Sequence, residues 1–195
     1  MSFKNKITGE EIKELPLSCF EGRIVVVDRY RKVSGAVRHL RNSNVLGFDT
    51  ETRPSFKKGK VNKVALLQLS CDDTAFLFRL NNIGLPDEVT ALLADGTTKK
   101  IGAAIKHDIT ILRRLNDFQP AGFIDLQQIV KNYGIENFSL QKLAGIVLNI
   151  RVSKSQRLSN WEADVLSESQ QRYAATDAWL CAEIYHRLMN ETDEG

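Results

Sequence analysis

Two carboxylates close an apolar stretch in the first third of the chain. Residues 45–51 read Val-Leu-Gly-Phe-Asp-Thr-Glu, and the apolar run before Asp49 predicts a β-strand. Side chains alternate between the two faces of a strand, so Asp49 and Glu51 point to the same side. Their like charges repel. A hard cation such as Mg²⁺ or Mn²⁺, which prefers oxygen ligands, would offset this repulsion, whereas a solvated strand end is the alternative that needs no ion.

Two further aspartates fall on the apolar faces of predicted helices. Asp177 stands three, four, seven and eleven positions before apolar residues of the last helix, so it lies on the buried stripe, with Tyr173 one turn earlier. Asp108 stands three, four and seven positions before apolar residues of its own helix. Taken singly, Asp108 as a helix N-cap and Asp177 in an ion pair with an arginine are the simpler interpretations. Taken with the acidic strand, the positions favour one shared cation site.

The elements that must position these side chains follow the order of an α/β domain. A β-branched run at residues 24–27 predicts a strand, and a helix to Arg41 and then the acidic strand follow it. Two apolar segments, 64–70 and 75–78, predict an antiparallel hairpin beside the acidic strand. The second half is mostly helical: it predicts a short strand over 100–104, a helix over 126–133 and a short helix from Ser139 to position 147. Its last helix begins at a capping box formed by Ser167 and Gln170. These elements predict one α/β domain.

Length and composition agree with a single globular domain. The 195 residues are 43% apolar and 26% charged, and 27 basic against 24 acidic side chains leave a net charge of +3. This charge is too small to indicate a nucleic-acid partner, so any such contact depends on local clusters. Three separated cysteines without C-x-x-C spacing favour neither a disulfide framework nor a structural zinc site. The absence of an apolar block at the N-terminus and of a long apolar span predicts a cytoplasmic protein, with a nuclear location as the alternative in a eukaryote, and no membrane partner.

The acidic pattern resembles that of a known family. The spacing Asp49-x-Glu51, then Asp108, then Tyr173-x-x-x-Asp177 is similar to the motifs of the DEDD superfamily of 3′-5′ exonucleases, in its tyrosine-bearing class, which includes the RNase D and Werner syndrome exonuclease domains. The surrounding residues match as well: 48–51 (Phe-Asp-Thr-Glu), 63–69 (Lys-Val-Ala-Leu-Leu-Gln-Leu), 154–161 (Lys-Ser-Gln-Arg-Leu-Ser-Asn-Trp) and 173–178 (Tyr-Ala-Ala-Thr-Asp-Ala). The histidine of the other class is replaced here by an arginine at position 172.

The resemblance implies a fold and a chemistry. The expected fold is an RNase H-like mixed β-sheet flanked by α-helices, with an N-terminal extension over 1–22, the exonuclease domain over 23–191 and a tail over 192–195. Two divalent cations, Mg²⁺ or Mn²⁺, are implied: Asp49 would bridge both, Glu51 and Asp177 would complete one, and Asp108 would support the other. Tyr173 would orient the attacking water or help to deprotonate it. The implied reaction removes nucleoside 5′-monophosphates from a 3′ end. A nucleic-acid-binding module without catalysis and an RNase H-like endonuclease are the alternatives.

The expected substrate is DNA or RNA with a free 3′ end. If the chain is free-standing rather than a domain of a longer protein, a protein partner would determine which substrate it acts on. Basic residues after the acidic strand and before the last helix could bind phosphates, whereas two solvated loops are the alternative. Trp161 could stack on a base or close the core. The candidate nucleic-acid contacts are Thr50, Lys58, His107, Lys154, Arg157 and Trp161.

Overall fold

The computed structural model describes residues 3–55 and 62–193 and contains one six-stranded sheet. Its strands are β1 (Arg23–Val27), β2 (Val45–Thr52), β3 (Val64–Cys71), β4 (Thr74–Arg79), β5 (Lys99–Gly102) and β6 (Phe123–Asp125). Its α-helices are α1 (Gly9–Glu14), α2 (Val33–Leu40), α3 (Leu80–Ile83), α4 (Asp87–Leu93), α5 (Lys106–Arg113), α6 (Leu126–Ile129), α7 (Leu140–Leu143) and α8 (Glu168–Asp193). Within the described ranges, none of these helices combines the length and apolar character needed to cross a bilayer.

The sheet is mixed, with the strand order β1-β4-β3-β2-β5-β6. Strand β3 runs antiparallel to β2 and β4, and the remaining pairs are parallel. The predicted hairpin beside the acidic strand is therefore confirmed. Strand β2 lies inside the sheet, so both of its edges are paired, with β3 and with β5. Helices pack on both of its faces.

The alternation of side chains along β2 divides them between two layers. Leu46 and Phe48 enter the main core, which α2, α4 and α5 cover. Gly47, Asp49 and Glu51 point to the other face, where α8 packs. A long amphipathic helix thus runs over the acidic face of the central strand, and the predicted capping box at its start is present, because Ser167 and Gln170 bond to each other's backbone N–H groups.

The N-terminal segment packs onto the sheet and the last helix rather than standing apart from them. Ile7 and Phe20 are buried, and the Phe20 ring packs against Trp179 of α8. The Phe20 backbone N–H donates to the Thr176 hydroxyl (3.0 Å), and the Arg151 N–H donates to a carbonyl of the segment. The segment therefore contributes to the core. The domain boundaries expected at residues 22 and 191 stay predictions.

Three predicted elements differ in their extent. The strand expected over 100–104 ends at Gly102, because Ala104 adopts a left-handed backbone (φ 60°) and donates its N–H to the Asp125 carboxylate. The helix expected up to Tyr133 continues as a 3₁₀ turn over Val130–Tyr133. The helix expected from Ser139 to position 147 changes to a π-helical turn after α7. Each change is one of backbone conformation and hydrogen bonding, which the spacing of apolar residues does not determine.

Candidate metal centre

Three carboxylates converge where β2 meets α8. Asp49 and Glu51 extend from β2 and Asp177 from α8, and one carboxylate oxygen of each lies within 4.8 Å of the other two. All three side chains are partly buried. Such a concentration of negative charge away from water is unfavourable unless protons or a cation neutralise it. Because every donor is a carboxylate oxygen, the set fits a hard divalent cation such as Mg²⁺ or Mn²⁺.

The pKa values of the three carboxyls record this crowding. Burial, followed by the charges of Asp177 and Glu51, raises the pKa of Asp49 well above its usual value. Burial and the charge of Asp177 raise the pKa of Glu51 to about 8. Burial raises the pKa of Asp177 to about 7, against the lowering effect of a hydrogen bond from Tyr173. Without a cation, the cluster therefore retains protons near neutral pH.

Asp108 lies beside the three converging carboxylates. It accepts a hydrogen bond from Thr50, a β2 residue whose side chain points to the opposite face of the sheet from Asp49. It occupies the third position of α5 rather than the N-cap, so the simpler interpretation of Asp108 as a cap is wrong. The Thr50 hydroxyl donates to its carboxylate. Burial raises the pKa of Asp108, and its charge in turn raises the pKa values of Asp49 and Glu51. Thr50, which we predicted as a nucleic-acid contact, uses its hydroxyl to orient a carboxylate.

Tyr173 lies one helical turn before Asp177 and lines the same cavity. Its hydroxyl lowers the pKa of Asp177, and none of the ion pairs between described residues involves Asp177, so the arginine partner considered for Asp177 is not found. Burial and the charges of Asp177 and Glu51 raise the pKa of Tyr173 above its usual value. The phenol is therefore protonated at neutral pH, which suits a hydrogen-bond donor better than a general base.

Trp161 does not have the exposed ring that base stacking needs. The side chain is fully buried and packs among Leu66, Leu77 and Ala174, with its ring centre 6.0 Å from that of Tyr173. The interpretation of Trp161 as a stacking platform is therefore wrong, and the alternative, that it closes the core beside α8, is correct. Its contact with Tyr173 places it behind the cluster.

Two of the predicted basic contacts lie near the carboxylates. Lys154 and Arg157 line a cavity of about 270 Å³ together with Tyr173 and Asp177. The charge of Arg157 also lowers the pKa of Glu51, which places this guanidinium close enough to act on the cluster. His107 is exposed at the start of α5, next to Asp108. Lys58 lies outside the described residues.

A second cavity borders α8, and the N-terminal segment forms one of its walls, which the sequence did not predict. Its volume is about 360 Å³, and Tyr173 and Asp177 line it together with residues 17–19 and Arg172. Arg172 donates to the Phe20 carbonyl at 2.9 Å. The N-terminal segment therefore reaches the edge of the site through contacts between residues about 150 positions apart, which no local sequence pattern signals.

The approach of α8 to β2 predicts a severe effect for a single methyl group. A Cβ atom at Gly47 would overlap the Ala178 carbonyl oxygen and the Ser70 hydroxyl. We expect Gly47→Ala to destabilise the protein by about 3 kcal/mol or more, because the backbone of α8 has to move. Gly35→Ala is the control, since nothing lies within 4 Å of its added Cβ in α2, and it should stabilise by about 0.5–1 kcal/mol. Urea unfolding measures both, and equal stabilities would contradict the close approach.

Comparisons with known proteins agree with this geometry. The sequence profile of a family described as 3′-5′ exonuclease matches residues 24–193. The bifunctional 3′-5′ exonuclease/ATP-dependent helicase WRN of Mus musculus is 35% identical over 160 residues, which is 79% of this chain and 11% of that protein. The chain thus spans only a small part of this relative's length.

Solved structures share the fold. The EXO domain of Aedes aegypti Nibbler superposes with a TM-score of 0.80 at 24% identity, over 92% of this chain and 93% of that chain. Trypanosoma brucei RNase D, solved in complex with RNA U12, superposes with a TM-score of 0.76 at 19% identity, over 87% of this chain and 63% of that chain. The predicted RNase H-like mixed sheet in one domain is confirmed.

Proposed function

Because this chain belongs to the 3′-5′ exonuclease family, we propose that it is a divalent-metal-dependent enzyme that hydrolyses the terminal phosphodiester at the 3′ end of DNA or RNA. The products would be nucleoside 5′-monophosphates. The observation that carries the proposal is the convergence of Asp49, Glu51 and Asp177 within 4.8 Å. Asp108 and Tyr173 complete the pattern beside them. A binding module without catalysis would have no need of buried carboxylates that repel one another.

Two cations, Mg²⁺ or Mn²⁺, would be held by Asp49, Glu51 and Asp177, with Asp108 as a further support. When bound, such ions supply positive charge to the phosphodiester oxygens and make hydroxide available near neutral pH. The chain's part in this is preorganisation. The Thr50 hydroxyl holds Asp108 by a hydrogen bond, and Tyr173 lies beside Asp177, so that the carboxylates keep their orientation before substrate arrives.

Tyr173 and the basic residues would position the substrate. The protonated Tyr173 hydroxyl can donate to Asp177 or to the attacking water, and its raised pKa keeps it from serving as a base at neutral pH. Lys154 and Arg157 line the same cavity and would bind the phosphates of the strand. Nucleic acid is the proposed partner. A protein partner and a cytoplasmic or nuclear location stay predictions.

The test of this function is end-specific digestion. Matched DNA and RNA strands, labelled at the 5′ end, carry either a free 3′ hydroxyl or a 3′ phosphate, and are incubated with Mg²⁺, Mn²⁺ or EDTA. We expect stepwise shortening from the free 3′ end only when a divalent ion is present. Equal cleavage of blocked or circular strands would indicate an endonuclease, and binding without turnover would indicate the non-catalytic module.

Arg157 should contribute to substrate affinity rather than to the chemical step. Removing one charge-assisted hydrogen bond, worth about 1.5–3 kcal/mol, is expected to raise KM about 10–100-fold in Arg157→Ala with little change in kcat. The dependence of log KM on log salt should become shallower by about 1. Arg38→Ala is the matched control, because Arg38 is exposed on α2, a helix of the opposite face of the sheet. A lower kcat at unchanged KM would contradict this role.

A further inference from the structure

Gln68 is a fully buried amide without a partner. Its side chain is 0% exposed in the middle of β3, and both its Nε2 and its Oε1 lack a hydrogen-bond partner among the described residues. A buried amide that bonds to nothing costs free energy that an apolar side chain of similar size would avoid. The residue therefore calls for an explanation other than packing.

The register of the sheet identifies the groups that can reach this amide. Gln68 pairs with Asp49 of β2 on one side and with Leu77 of β4 on the other, and directly paired residues point to the same face. Leu66 and Ser70 precede and follow it on that face of β3. Two of these four neighbours are polar, Asp49 and Ser70, and the Ser70 hydroxyl is itself buried and unpaired.

The distance between paired strands suits a bond to the carboxylate. Cβ atoms of directly opposite residues in an antiparallel pair lie about 4.5–5.5 Å apart, which an amide at the end of a glutamine side chain can span. Carboxylates that ligate a metal are themselves held by hydrogen bonds from surrounding groups, and loss of such a group lowers metal affinity about 10–100-fold. Asp49, one of the three converging carboxylates, is the residue of β2 that pairs directly with Gln68.

We propose that Gln68 is a positioning residue for the metal centre, whose amide N–H donates to the Asp49 carboxylate when this carboxylate holds a divalent cation. The inference rests on the proposed function, because it assigns Gln68 to the same site. It gives a reason for the one amide in the apolar run of β3: the amide orients the Asp49 carboxylate from the neighbouring strand, as the Thr50 hydroxyl orients the carboxylate of Asp108.

The test compares two substitutions on the same face of β3. Gln68→Met keeps the size of the side chain and removes the amide, and Ser70→Ala removes the other unpaired group, which stands opposite Gly47 rather than opposite a carboxylate. Mn²⁺ binding is measured without nucleic acid by the electron paramagnetic resonance signal of the free ion. We expect Gln68→Met to weaken Mn²⁺ binding at least about tenfold and Ser70→Ala to leave it unchanged. Neither substitution should lower the melting temperature in EDTA, since each removes an unpaired buried group.

The possible results separate this inference from the function on which it rests. If the wild type binds Mn²⁺ and Gln68→Met binds it equally well, the positioning role is overturned while the exonuclease proposal stands. If the wild type binds no Mn²⁺, both are overturned. Should Gln68→Met fail to fold, Gln68→Asn decides, because it keeps a buried amide but withdraws it by one methylene, and it is expected to weaken Mn²⁺ binding severalfold. Unchanged binding by Gln68→Asn would overturn the role as well.

Discussion

Asp49→Asn is expected to abolish nucleotide release and, at the same time, to raise the melting temperature of the metal-free protein. The substitution keeps the shape of the side chain but removes a carboxyl group that burial and two other carboxylates within 4.8 Å make unfavourable to ionise, so the metal-free protein must either protonate it or bury its charge. Loss of several kcal/mol of transition-state stabilisation corresponds to about a thousandfold or more in kcat, at about 1.4 kcal/mol per factor of ten. Removing this cost should add about 1–2 kcal/mol to the stability, or a few degrees in Tm.

Opposite changes in activity and stability distinguish a functional carboxylate from a structural one. Single-turnover digestion of a 5′-labelled strand measures the activity, and thermal unfolding in EDTA measures the stability. Asp72→Asn is the control, because Asp72 is exposed in the turn between β3 and β4, at the end of the hairpin away from Glu51. Its positive φ (35°) also suits asparagine, so neither quantity should change much. Retained digestion by Asp49→Asn, or a lower Tm, would refute the role given to Asp49.

The parts of the site that lie within one element could be predicted from the sequence. The common face of Asp49 and Glu51 follows from the period of a strand, and the position of Tyr173 one turn before Asp177 follows from the period of a helix. Both are local geometry that the chain cannot alter once the element forms. The convergence of the two pairs was expected only because their residue types suit one cation and resemble a family pattern. The register of α8 over β2 had no local signal.

The contacts that orient the carboxylates could not be predicted in the same way. Thr50 faces away from Asp49 along β2, yet its hydroxyl reaches Asp108, 58 positions later. Trp161 follows a basic stretch that suggested a surface, but residues from β3, β4 and α8 enclose it. Gln68 was visible as the one amide of an apolar run, but its neighbour could be identified only from the pairing of β2 with β3. Each case depends on contacts between distant residues.

The metal-free protein is expected to lose stability as the pH rises from about 5 to about 8. The folded-state pKa of Glu51 is about 8 against an ordinary value of 4.5, mainly because of burial, and that of Asp177 is about 7 against 3.8. Between the unfolded and folded values the folded protein holds protons that the unfolded chain has released. Stability is therefore complete below the ordinary pKa values and falls as the pH passes through the folded ones, by a few kcal/mol in total.

Divalent cations should reverse this dependence. Carboxylates must lose their protons to bind a metal, so stabilisation by Mg²⁺ or Mn²⁺ should grow from pH 6 to pH 8, where the metal-free cluster is least stable. Thermal unfolding across this range, in EDTA and with either ion, measures both effects. Glu51→Gln is the matched variant, because it removes one raised pKa and keeps the size of the side chain. Its curve in EDTA should be flatter than that of the wild type, and its response to Mn²⁺ weaker.

Parallel stability curves for the wild type and Glu51→Gln would contradict the pKa values on which this expectation rests. They would mean that Glu51 releases its proton at an ordinary pH in the folded protein, and hence that it is better solvated or less repelled than the geometry indicates. A pH-dependent loss without any response to divalent ions would mean instead that the cluster is crowded but does not bind metal. The two results separate the electrostatics of the site from its chemistry, because the crowding of Asp49, Glu51 and Asp177 predicts the first effect and the fit of their oxygens to a hard cation predicts the second.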